Sequence, residues 1–151
     1  MPGATPASSR RPAGLAGWAI AWLPMVFIAI ANGGAREAWL QAPLGEMAAH
    51  QASTLSAIAL FGAYIWWVMP RLRPASTGQA ATIGGLWLLM TLAFEFLFGH
   101  FVAGQSWAAL LANYDLTAGR LWPLIPLWVA IAPPLFHRMR SPYSGKSSKL
   151  E

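Results

Sequence analysis

Six side chains could move protons or hold ions away from the basic flanks of this chain: Arg36, Glu46, His50, Glu95, His100 and Arg120. Glu46 and His50 are four residues apart, so on a helix they share a face, and Ser53 and Thr54 continue it. Glu95 sits in the run FEFLFGHF, Phe94 to Phe101, among large apolar residues. A charged group at the centre of a bilayer costs about 2.5–3.5 kcal/mol on insertion scales, so such a residue pairs or lines a cavity. Its functional reading is a proton or cation carrier. Its structural reading is a glutamic acid bonded to a neighbouring helix, or ion-paired with Arg36 or Arg120. Glu95 and His100 are five residues apart, roughly 140° around a helix of 3.6 residues per turn, so an undistorted helix does not aim both at one point.

The two histidines invite metal chemistry. On adjacent helices at one depth, His50 and His100 would suit a haem. With Glu46 they would offer a divalent metal two imidazoles and a carboxylate, which are ordinary ligands. Against this, E-x-x-x-H is not the E-x-x-H spacing of di-iron bundles, and Phe96, Phe98 and Phe101 crowd His100. A plain hydrogen-bonded histidine is the commoner outcome. Arginine grips carboxylates and phosphates bidentately. Arg36 is therefore expected on Glu46 or a lipid headgroup, and Arg120 on Glu95 or an anion. Glu37, next to Arg36, is expected at the exposed surface.

The elements that must position these residues are set by composition. Of 151 residues, 56% are hydrophobic and 10% charged, against about 25% charged in soluble domains. Nine are Trp, a residue favoured at membrane–water interfaces. Four apolar runs stand out, roughly Leu15–Ala31, Met47–Met69, Ala80–Val102 and Thr117–Phe136. A bilayer span needs about 20 residues, with a range of about 17–25, and lipid leaves the backbone only helix or closed barrel. Strand-like alternation is absent. The fold class expected is an all-α bundle of four transmembrane helices, residues 15–140, between a cytoplasmic tail 1–14 and a disordered cytoplasmic tail 141–151.

Arg10, Arg11, Arg71, Arg73, Arg138, Arg140, Lys146 and Lys149 all flank one side of this threading, eight of the ten Lys and Arg. The positive-inside rule then puts both termini in the cytoplasm, as an even number of spans requires, and a bacterial inner membrane fits. These clusters mark topology and touch anionic lipid rather than nucleic acid, despite the net charge of +5. Arg10-Arg11, the apolar run and Ala29-Ile30-Ala31 have some look of a signal peptide, but Pro12 and the length of the run oppose it. By this threading all six candidate residues fall in the outer half.

Between the last two spans Trp107, Leu110, Leu111 and Tyr114 recur at i, i+3, i+4, i+7, predicting a short helix begun by Ser106 or Gln105 and lying in the outer interface. Pro24 should kink span one; Pro123 and Pro126 suit the first turns of span four; Pro133-Pro134 should distort or end it. Ala52, Ser56, Ala59 and Ala63 make a small-residue stripe for close packing, within the monomer or between subunits.

No cysteine is present, which excludes disulfides and thiolate metal sites. There is no glycine-rich phosphate loop, H-E-x-x-H or G-x-S-x-G. Three functions fit the remainder. The first is a small transporter or ligand-binding membrane protein, with Glu95 titrating and His100, His50, Glu46, Arg36 and Arg120 around it. The second is a metal- or haem-dependent membrane enzyme or redox subunit built on His50 and His100. The third is an accessory subunit of a larger complex or homo-oligomer, its polar set holding helices together.

Overall fold

The computed structural model describes residues 13–141, so the expectations for the two tails lie almost wholly outside the described residues. Every regular element among these is helical: α1 (Leu15–Ala35), α2 (Gln41–Leu72), α3 (Thr77–Phe101), α4 (Trp107–Ala112) and α5 (Leu124–Arg140). A five-residue wide turn of helix, Arg36–Leu40, joins α1 to α2. The reversal itself comes at Gly45, whose φ of 76° and ψ of 165° lie outside the helical region; a positive φ of this kind is cheap only for glycine. Beyond it α2 returns antiparallel to α1. Ala13 N donates to Leu72 O (3.3 Å), the Tyr64 hydroxyl to Ala21 O (2.6 Å), and Asn32 Nδ2 to Ser53 O (2.8 Å).

α3 runs parallel to α1, and two indoles fix its register. Trp87 Nε1 donates to Trp18 O (2.8 Å) and Trp22 Nε1 to Thr91 Oγ1 (3.0 Å), one turn apart with the same sequence offset. α3 packs most extensively on α5, and so closely that a Cβ on Gly84 would stand 2.2 Å from Ala130 O. α5 also packs on α2. The order around the bundle is therefore α1, α2, α5, α3. α2 and α3, consecutive in sequence, sit diagonally opposite. The core is Trp18, Trp22, Met25, Phe61, Ile65, Ile83, Trp87, Ile125 and Val129 with their neighbours.

The stretch Leu15–Leu72, taken through its turn, and Thr77–Phe101 are long and apolar enough to cross a membrane. α5 has 17 residues. Several sequence expectations need correction. α5 starts at Leu124 and not Thr117, because Asp115 caps a tight turn over Leu116–Ala118 and Pro123 precedes the first helical residue. Pro133-Pro134 lie inside α5 and do not end it. The stripe Ser56, Ala59, Ala63 is exposed, with Ala52 half-buried. Within the monomer α2 instead buries His50, Ser53, Thr54, Ala57, Phe61 and Ile65, since α1 and α5 approach it from that side.

Candidate functional site

At the end of the bundle that carries the α1–α2 turn, the helices enclose a cavity of about 710 Å³. Its origin is the limited contact between α1 and α3. They touch around Trp18–Trp22 and Trp87–Phe94. Towards the turn their facing residues, among them Val26, Ala29, Ile30 and Phe98, line the cavity instead. The floor is the Trp22–Thr91 hydrogen bond with Met25, Ala57, Phe61 and Ile125. The mouth is polar: Arg36, Glu37, Glu46, Asn113 and Arg120.

The lining includes Glu95, His50, Glu46, Arg36 and Arg120 but not His100. His100 Nδ1 lies 2.8 Å from Gln105 O, and its ring stacks on Trp107 at 4.0 Å between centroids. Helix α4, begun by Ser106, draws it out of the site. His50 lines the cavity and His100, held by Gln105 O and Trp107, does not, so the two rings do not share one site as a haem ligand pair would. Among the described residues no three of His, Asp and Glu are grouped so as to hold a metal ion, and Glu46, His50 and His100 are thus not such a trio.

Glu95, half-buried on α3, accepts a hydrogen bond from the Tyr114 hydroxyl, and the Trp122 side chain also reaches its carboxyl. It pairs with neither Arg36 nor Arg120. Tyr114 lies on the apolar face that the sequence assigns to the short helix, but nothing in that spacing says which residue the face meets. Leu110 of the same face seats on Gly99, which carries Tyr114 over to α3. Burial, and then the carboxyl beside it, push the Tyr114 phenol up from its ordinary range, so it serves as a donor.

His50 is buried on α2. Arg36 Nη1 lies 3.3 Å from its Nδ1. A guanidinium can only donate, so Nδ1 accepts and the ring proton is on Nε2. That Nε2–H is buried without a partner. Ser53 and Thr54 hydroxyls both donate to His50 O (3.3 and 2.9 Å), so they are committed to the helix backbone. The Trp122 ring, 5.8 Å from the imidazole, stands between His50 and Glu95.

The arginine partners differ from those expected, Glu46 for Arg36 and Glu95 for Arg120. Arg36 Nη2 pairs with Glu37 Oε1 at 3.1 Å, because the wide helical turn lets the long side chain fold back on its neighbour, while Arg120 Nη2 reaches Glu46 Oε1 only at 4.0 Å. Arg120 Nη1 also donates to Asn113 Oδ1 (3.2 Å). The two guanidinium side chains are 26% and 27% exposed, but their carboxylates are 67% and 76% exposed. The cations face inward and the acids face out. Such an arrangement can receive an anion and lend it hydrogen bonds.

Comparison with known proteins finds no matching family model, no similar curated protein and no similar solved structure.

Proposed function

We propose that this chain is a small ligand-binding membrane protein of the transporter kind: four transmembrane helices, both ends cytoplasmic in a bacterial inner membrane, and one cavity open to the outer side. The observation that carries this is the cavity of about 710 Å³, within the range of about 300–1,000 Å³ typical of small-molecule sites. It gathers six Arg, Glu and His side chains, Arg36, Glu37, Glu46, His50, Glu95 and Arg120, at one end of a largely apolar bundle.

The surface supports the membrane part. Leu15, Ile20, Phe27, Leu55, Leu60, Leu89 and Ile131, spread over all four long helices, are exposed, as side chains that meet acyl chains would be. At the opposite end Arg71 lies over the Trp67 ring at 3.6 Å and Arg140 over Trp66 at 3.8 Å. Basic and Trp side chains of this kind anchor helix ends at the cytoplasmic interface.

Glu95 distinguishes a carrier from an assembly subunit. In the proposed role Glu95→Gln melts within about 1 kcal/mol of the parent protein, since an amide oxygen still accepts from Tyr114. A loss of about 3 kcal/mol or more, the cost of breaking a buried pair, would assign Glu95 to holding helices together.

A further inference from the structure

We infer that the ligand of this cavity is an anionic single-chain amphiphile of the fatty-acid type, its head among Arg36, Arg120 and His50 and its hydrocarbon chain in the cleft between α1 and α3. The inference rests on the cavity being the binding site, and adds the chemical class of what enters it.

The head follows from the donors. The His50 Nε2–H is buried and has no acceptor, a deficit that a ligand oxygen would relieve. Arg120 makes one hydrogen bond, to Asn113, and holds Glu46 at only 4.0 Å. Loose, largely exposed ion pairs of this kind contribute little to stability, so a ligand carboxylate displaces Glu46 readily. Arg36 is steered inward by His50. Of the other two acids of the cavity, Glu37 pairs with Arg36 Nη2 at 3.1 Å from a largely exposed position, and Glu95 is engaged by Tyr114, with Trp122 beside it.

The chain follows from the walls. From the mouth inward the cavity is bounded by Ile30, Ala29 and Val26 on α1 and Phe98 and Phe94 on α3. Ile30 and Phe98 are at the same time exposed, which places the slot between the helices on the side of the bundle. A hydrophilic solute would gain nothing from such walls. A cavity of about 710 Å³ takes one chain and its head, not a two-chain lipid.

The test uses the full chain, purified in a neutral sterol-based detergent, with radiolabelled laurate as probe. Competitors are methyl laurate, dodecyltrimethylammonium and acetate. The inference expects saturable laurate binding that none of the three displaces efficiently. It expects binding to weaken roughly tenfold or more in the Arg36→Gln/Arg120→Gln double variant, from the loss of charge-assisted hydrogen bonds. Ala29→Trp should block the cleft and abolish binding, while Arg120→Lys, which keeps the charge and the fold, should retain most of it. If dodecyltrimethylammonium displaces laurate at lower concentration, the head assignment is wrong. If acetate competes equally, the chain assignment is wrong. In both cases the cavity still stands as a binding site. If no probe binds, the inference is overturned, and the cavity is then judged by its own accessibility to water-soluble reagents.

Discussion

Glu95 takes a hydrogen bond from the Tyr114 hydroxyl, brought from a different segment, with Trp122 beside it. Tyr114→Phe removes that donor and is expected to cost about 1 kcal/mol, read as a lower melting temperature in detergent, with Glu95→Gln/Tyr114→Phe no worse than the single change because the two act on one contact. Asp115, next in sequence, is fully exposed and caps its own turn: Oδ1 accepts from Thr117 Oγ1 (2.5 Å), Thr117 N (2.9 Å) and Ala118 N (3.2 Å). The Thr117 hydroxyl first, then the Ala118 amide, hold its carboxyl below the ordinary range. A depressed folded value stabilises above the unfolded value of about 3.9 and is lost as pH falls through the folded one. Hydrogen exchange of residues 115–118, corrected for intrinsic rates, should be protected from neutral pH down to about 4 and open below it; Asp115→Asn should flatten that profile. At this scale the sequence was informative about chemistry and weak about partners. An acid inside FEFLFGHF needs compensation whatever the fold, so Glu95 was legible. That Tyr114, not Arg120, supplies it depends on where Leu110 seats α4, which no local spacing encodes.

Helix contacts differ in how rigid the opposing atom is. A Cβ at Gly84 meets the Ala130 carbonyl oxygen, which is backbone, whereas a Cβ at Gly99 meets Leu110 Cδ2 at 2.6 Å, the end of a movable side chain. Gly84→Ala should therefore push α3 from α5 and destabilise by about 1–3 kcal/mol, even after the gain of about 1 kcal/mol in helix propensity. Gly99→Ala should cost under about 1.5 kcal/mol as Leu110 changes rotamer. Thr91→Val leaves the buried Trp22 indole N–H unpaired and should cost about 1–3 kcal/mol. Thermal unfolding of the three variants side by side checks the order. The long apolar runs announced α1, α2 and α3 because length and hydropathy are local properties. The late start of α5 was hidden: Leu121-Trp122 reads as apolar span, and only the Asp115 turn and Pro123 together show that the helix has not begun. The small-residue stripe is mostly exposed in the monomer, with Ser56 reaching α1 through its hydrogen bond to Asn32 Oδ1 (2.6 Å). Small residues permit close approach, but which helix takes it up is not a local property.

Across the whole molecule, the circuit α1, α2, α5, α3 explains the cavity. Sequence threading fixes depth along the bundle axis, and at that level His50 and His100 match. It does not fix which way each ring turns: His50 lines the cavity, whereas Gln105 and Trp107 hold His100 outside it. The same circuit makes α1 and α3 neighbours with little contact beyond Trp22, so the cavity opens where their packing stops. The segregation of ionisable groups to one end was legible from charge counting alone. Its consequence, that this end is the outer one, is the claim on which the functional proposal depends. The chain contains no cysteine, so single thiols can report on it without background. Gly33 lines the cavity, and a Cβ there meets nothing within 4 Å; Ser141 is exposed at the opposite end. In intact cells a membrane-impermeant maleimide should label Gly33→Cys and leave Ser141→Cys untouched until the membrane is permeabilised. Labelling of Ser141→Cys from outside, with Gly33→Cys protected, would turn the cavity to the cytoplasm and contradict the account.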